Sequence, residues 1–303
     1  MQALPIIQVD AFTRTPYGGN PCAVVFDADE LSAEAMQSIA REMNLSETAF
    51  VMTSERADYR ARYFTPAEEI PMAGHPTVAT VYGLLSTGRL NRQGGDCSVT
   101  LELPAGIIPV DVTEEDGGAP LITMTQLAPE FLGEHDPAEV MPAFGLTEDD
   151  LLPGHPILTV STGTPQLMVP LRDSQALRSC RVNAVRYSAL REKGDFFSPH
   201  LFVLGGATTA GATFARHFGV PPDTAEDPFT GSATGGMAAY LYRRGLIEAP
   251  EFIAEQGHWM GRPGMARVGL LGTREHIEGV RVGGHAVEIM EGMILAPESP
   301  GSQ

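Results

Sequence analysis

The feature that most constrains this chain is a short segment that occurs twice. Ala73-Gly-His-Pro-Thr-Val-Ala-Thr-Val-Tyr82 lines up with Thr230-Gly-Ser-Ala-Thr-Gly-Gly-Met-Ala-Ala-Tyr240, and both contain Gly-x-x-Thr ahead of small and apolar residues. A Pro-containing loop with acidic residues precedes each copy: Pro66-Ala-Glu-Glu69 with Pro71, and Glu226-Asp-Pro-Phe-Thr230. Helices made of such small residues can be surrounded by sheet on every side, so the repeat predicts two similar halves, each with a central helix wrapped by its own strands.

Strand patterning surrounds the repeats. Leu4 to Phe26 reads as strand, loop, strand around Arg14-Thr-Pro-Tyr-Gly-Gly-Asn-Pro21. Asp29 or Ser32 then caps a helix with an apolar stripe of Leu31, Ala35, Met36, Ile39, Ala40 and Met43, stopped at Asn44. Strands follow at Leu45 to Met52, Tyr59 to Phe64 and Ser98 to Leu103, where Val99, Leu101 and Leu103 alternate with polar residues. Thr113 to Pro120 reads as an exposed hairpin tip. The Pro-rich, acidic stretch Pro129 to Pro156, with one short helix capped by Thr147, marks the change of domain. Strands around Ile157 to Leu171 and Leu201 to Leu204, a Gly-rich loop, a helix and strands to Ile294 repeat the order. Mixed strands with few helices imply an α+β fold rather than a doubly wound sheet.

Composition narrows the function. With 43% hydrophobic and 19% charged residues the 303-residue chain is that of a packed globular protein, and its net charge of -18 repels nucleic acid and anionic lipid. The expected protein is cytoplasmic, for the start of the chain lacks signal-peptide patterning and no apolar run approaches the ~20 residues of a membrane span. Cys22, Cys97 and Cys180 are odd in number and widely spaced, and read as free thiols.

A helix entered through glycine presents unpaired N–H groups and the positive end of its dipole, a seat for a carboxylate or phosphate. Two such ends facing one another would clamp a small anion, and Pro76 suits a first helical turn. Glu47 lies in an otherwise apolar or small-residue segment; it is either a carboxyl tuned by burial for proton transfer or a cap or strand-edge carboxylate. His75 sits at the first turn of the first helix, where the dipole favours neutral imidazole, unless it only caps or packs. Asp227 and Ser232 flank the second helix start and are equally suited to capping. The remaining histidines have no metal-ligand spacing, and structural or surface roles suffice for them. No P-loop or G-x-G-x-x-G sequence follows a strand, so a nucleotide cofactor is unsupported.

At this point the chain resembles the phenazine-biosynthesis isomerase-like family, which shares the diaminopimelate epimerase fold. The resemblance rests on Val9-Asp-Ala-Phe12, Gly19-Asn-Pro21, Asn44-Leu-Ser-Glu-Thr-Ala-Phe50, Ala73-Gly-His-Pro-Thr77, Gly163-Thr-Pro165, Glu226-Asp-Pro-Phe-Thr-Gly-Ser-Ala233 and Glu255-Gln-Gly257. It implies pseudo-symmetric halves at 1–125 and 126–285, a strand from about 286–297 returning to the first half, and a homodimer. It also implies a cofactor-independent isomerase acting on a small carboxylate, similar to trans-2,3-dihydro-3-hydroxyanthranilate isomerase. By position, Glu47 is then the acid/base, His75 and Asp227 orient the substrate, and Gly74, Gly231, Ser232 and Ala233 hold its carboxylate. The fold's racemases use two cysteines at the helix starts; here those positions carry other residues. An amino-acid epimerase or dehydratase, and a catalytically silent carboxylate-binding protein, stand as alternatives.

Overall fold

The structure, a computed structural model, describes residues 2–91, 95–115, 119–219, 223 and 225–297. In chain order the first strands are β1 (Ala3–Ala11), β2 (Asn20–Val25), β3 (Glu47–Met52), β4 (Tyr59–Phe64), β5 (Glu69–Ile70), β6 (Cys97–Leu103), β7 (Gly106–Glu114) and β8 (Pro120–Gln126), with helices α1 (Ala33–Met43) and α2 (Gly74–Ser86). The strands that follow are β9 (Glu130–His135), β10 (Ile157–Ser161), β11 (Pro165–Pro170), β12 (Ser198–Leu204), β13 (Thr213–Phe218), β14 (Glu226–Asp227), β15 (Glu251–Gln256), β16 (Gly264–Gly272), β17 (Ile277–Gly284) and β18 (Ala286–Leu295). Helices α3 (Pro137–Val140), α4 (Ser174–Ser179), α5 (Ala184–Lys193) and α6 (Gly231–Arg243) complete the set. The result is a sheet-dominated α+β fold. The chain divides into two compact units, Met1–Thr125 with Gly283–Gln303, and Gln126–Val282.

In the first unit β18 pairs antiparallel with β1, β1 with β2, β3 with β4, β4 with β5, and β6 with β7, while β2–β3 and β4–β6 are parallel. The second unit repeats the alternation: β9–β10, β10–β11, β12–β13, β13–β14 and β15–β16 are antiparallel, and β11–β12 and β13–β15 parallel. Each parallel pair needs a crossover connection. Helix α1 supplies the one between β2 and β3. Ser32 caps it by accepting from Ala35 N, Asn44 closes it at φ 51°, and Ala35, Met36, Ile39 and Ala40 are buried beneath it. Asp29, the other candidate cap, instead accepts from the Thr53 amide and hydroxyl.

Between β11 and β12 the connection is α4 and α5, which hydrophobic periodicity does not reveal. They are short, and α5 buries only Tyr187 while Val185 stays exposed. Their caps, Asp173 and Asn183, accept from Ala176 N and Arg186 N and were the readable signal. Thr147 does open a helix, a 3₁₀ turn over Glu148–Asp150 with a reciprocal capping box. Part of the expected hairpin tip at Thr113 to Pro120 lies outside the described residues.

The central helices explain their composition. Helix α2 packs on β1, β2, β3 and β18, and α6 on β10, β11, β12 and β16. A Cβ on Gly83 would fall 2.6 Å from Ile7 Cδ1, one on Gly235 1.9 Å from Gln126 Oε1, and one on Gly236 2.8 Å from Met168 Cε. Glycine lets side chains from the surrounding strands pack directly on the helix backbone, where an added methyl would make them shift.

Candidate active site

The first unit places a carboxylate against an imidazole. Glu47 opens β3, one turn of chain beyond the left-handed Asn44, and His75 is the second residue of α2. His75 Nε2 lies 3.0 Å from a Glu47 carboxylate oxygen, within ion-pair distance but without hydrogen-bond alignment. The other ring nitrogen, Nδ1, is 2.9 Å from Asn20 Nδ2. His75 is buried, and burial lowers its pKa to about 3, so the ring is neutral at physiological pH. Glu47 retains 15% of its side-chain exposure, while the oxygen that faces His75 is buried.

Cys22 stands opposite Glu47 in the parallel β2–β3 ladder. Its thiol is buried, and desolvation, followed by the nearby Glu47 charge, pushes its pKa well up. It is therefore a protonated packing residue and not a nucleophile. Gly74 begins α2, preceded by Ala73 in extended conformation with no side-chain cap, so the first-turn N–H groups are left to other acceptors.

The second unit builds a different centre on the same plan. Asp227, in β14, accepts from Thr230 Oγ1 at 2.5 Å. Gln256 ties this corner together. Its Oε1 accepts from Thr230 N at 3.1 Å, and its Nε2 donates to the Asp227 carbonyl at 2.7 Å. Gly231 starts α6, and its carbonyl accepts from Gln126 Nε2 at 2.9 Å, while Thr162 donates to Gln126 Oε1 at 2.6 Å. Ser232 and Ala233 follow, both buried in the first turn.

The threonine of the repeated motif has the same task in both units. Thr77 donates back to the Ala73 carbonyl at 2.8 Å, and Thr234 to the Thr230 carbonyl at 2.9 Å. These hydroxyls pin the helix starts from within. Asn20, Thr230 and Gln256 are the site residues that residue-type reasoning missed. Their signals were the Gly19-Asn-Pro21, Glu226-Asp-Pro-Phe-Thr230 and Glu255-Gln-Gly257 segments, whose contacts appear only once the strands place them. Of the two roles expected for the remaining histidines, His200 and His217 take the structural one. Both are buried in the second unit, where His217 lies opposite Asp227 in the β13–β14 ladder, His200 Nδ1 is 3.2 Å from His217 Nδ1, and His217 Nε2 is 2.8 Å from Ser198 Oγ. Among the described residues no helix is long and apolar enough to cross a membrane.

Comparison with known proteins agrees with this architecture. Residues 9–292 match the family model described as phenazine biosynthesis-like protein. The chain is 34% identical over 289 residues to "Uncharacterized isomerase YfhB" of Bacillus subtilis, covering 95% of this chain and 97% of that protein. It is 33% identical over 288 residues to the trans-2,3-dihydro-3-hydroxyanthranilate isomerase of Pseudomonas aeruginosa, covering 94% and 97%. The crystal structure of a Bacillus anthracis phenazine biosynthesis protein of the PhzF family superimposes with a TM-score of 0.86 at 34% identity, covering 97% of this chain and 100% of that one. Both sequence relatives are named isomerases and are matched over 97% of their length, and this chain too is an isomerase. The chain belongs to the phenazine biosynthesis-like protein family.

Proposed function

We propose that the enzyme moves a proton between two carbons of a small cyclic or unsaturated amino or hydroxy acid, without a cofactor, and that Glu47 carries the proton. The observation that bears the most weight is the partly exposed Glu47 side chain, whose carboxylate is held against a buried, neutral His75. A carboxylate takes a proton from one carbon, becomes a carboxylic acid, and returns the proton to another carbon on the same face; nothing is gained or lost overall. Neutral His75 does not compete for that proton and can donate its own N–H to an oxo or amino substituent. Asp227, steadied by Thr230 and Gln256, orients the same class of substituent in this reading. Ser232, with the N–H groups of Gly74, Gly231 and Ala233, receives the carboxylate.

The similarity to trans-2,3-dihydro-3-hydroxyanthranilate isomerase makes that compound the first substrate to test. A two-thiol racemase is disfavoured, since Cys22 is buried and protonated and the helix starts carry His75 and Ser232. The test is proton NMR in heavy water with wild-type enzyme and Glu47→Gln. Conversion by the wild type and none by the variant supports the reading. Conversion by both removes Glu47 from the chemistry, and conversion by neither replaces this substrate with a screen of amino acids for α-proton exchange.

A further inference from the structure

Asn20 belongs to a rigid corner. Gly19 before it sits at φ +50° with its Cα so close to the β1 backbone that a Cβ would fall 2.0 Å from the Ala11 carbonyl oxygen. Pro21 follows it, and Asn20 itself is fully buried opposite Ala11 in the β1–β2 ladder. Its side-chain amide therefore meets His75 Nδ1 from a fixed direction, at 2.9 Å.

A neutral imidazole has one N–H and one lone pair, and the partner of one nitrogen decides the state of the other. With the Asn20 amide donating to Nδ1, the ring proton must be on Nε2. The opposite amide orientation would require Nδ1–H. It would leave an unprotonated Nε2 3.0 Å from the Glu47 carboxylate oxygen, two electron-rich atoms in contact. The second unit offers an internal contrast. There the corresponding Gly163-Thr-Pro165 corner leads into β11 and carries Thr164 in place of the amide, and the helix start carries Ser232 in place of an imidazole.

We propose that Asn20 is a positioning residue that locks neutral His75 in the Nε2–H form, so that His75 can donate but cannot receive the proton that Glu47 carries. The proposal rests on the reading of Glu47 as the proton carrier. Its consequence is that a proton taken from substrate stays on the Glu47 carboxyl until it is returned, instead of passing to the ring and onward to solvent.

The test reads the ring directly and needs no substrate. Long-range proton–nitrogen NMR of enzyme with nitrogen-15-labelled histidine, with His75 assigned by loss of its signals in His75→Gln, reports which nitrogen is protonated. Wild type is expected to show a protonated Nε2 and an unprotonated Nδ1 from pH 5 to 8. In Asn20→Asp the new carboxylate accepts from the ring, and the Nδ1 resonance is expected to move into the protonated range. Asn20→Ser keeps a donor and is expected to restore the wild-type pattern. A protonated or mixed Nδ1 in wild type overturns the proposal, as does an unchanged ring in folded Asn20→Asp; if that variant does not fold, the wild-type spectrum decides alone. Loss of the isomerase reading has a different signature, wild type that fails to convert substrate while its ring pattern is as described.

Discussion

The two units share a scaffold and differ in what they place on it. Strand register equates Cys22 and Glu47 of the first unit with Gln166 and Ser198 of the second, each pair facing across a parallel ladder. Arg62 grips Glu69 through two hydrogen bonds of 2.7 and 2.6 Å, and Arg216 grips Glu226 through two of 2.8 Å; each guanidinium also lies over a phenylalanine, Phe64 or Phe218. The framework is thus duplicated down to individual ion pairs. The chemistry is not. Where the first unit has Glu47 and His75, the second has hydroxyls, Ser198 and Ser232, and it adds a carboxylate at Asp227 where the first has Ile70. A duplicated fold need carry only one proton-transfer centre, and the copy is then free to hold the substrate.

The sharpest way to break this comparison is to exchange consequences between equivalent positions. Glu47→Gln is expected to lower turnover by about 10²–10⁴-fold, the range for losing a general acid/base, while Ser198→Ala changes it less than about threefold. Steady-state rates of both variants check this, and comparable losses would mean that proton transfer is shared. Next in size, Ser232→Ala is expected to raise KM about 10- to 100-fold with little change in kcat, as removal of a hydrogen bond to a charged group costs ~1.5–3 kcal/mol. A fall in kcat alone would move Ser232 into the chemistry.

Two further predictions concern stability. Gly235→Ala in α6 is expected to cost about 1–3 kcal/mol in denaturant unfolding, because the added methyl meets the Gln126 amide that braces Gly231. The same change at Gly83 meets the ends of flexible apolar side chains, Ile7 and Phe26, and is expected to cost less. The smallest effect is on pH dependence. His75 and His217 are lowered to about 3 by burial, and His200 is lowered well below its usual value, first by burial and then by His217. Between their folded values and about 6.5 the unfolded chain binds more protons, so stability is full above that range and is lost as pH falls through it. Each such histidine contributes a slope of about 1.4 kcal/mol per pH unit. Removing the His200–His217 pair is expected to flatten the pH 6 to 4 limb of the stability curve about twice as much as His75→Gln, measured by urea unfolding at each pH. Equal flattening would show that the two buried histidines bind a single proton between them on unfolding.

Much of this was readable before any fold was known. The repeated Gly-x-x-Thr predicted helix starts at Gly74 and Gly231, where α2 and α6 do begin, and the stripe from Ala35 to Ala40 predicted the buried face of α1. Both are local signals, a glycine at a close approach and a period of 3.6. The Asn20–His75 contact joins residues 55 positions apart, and Gln256 reaches back 29 positions to Asp227. Such contacts depend on strand register, which no local pattern encodes. Helices α4 and α5 were missed for the opposite reason: they cover a sheet through a few large residues such as Leu177 and Tyr187, and short covering helices show no full periodic stripe.

Strand β18 has a consequence for how the chain comes off the ribosome. The unit that carries Glu47 and His75 is closed by pairing Ala3–Ala11 with Ala286–Leu295, from near opposite ends of the sequence, whereas the second unit is one continuous stretch. During vectorial synthesis the second unit can therefore finish while the first still waits with one edge of β1 unpaired. The unit that carries Glu47 and His75 is therefore completed only after the whole of the second unit has been made.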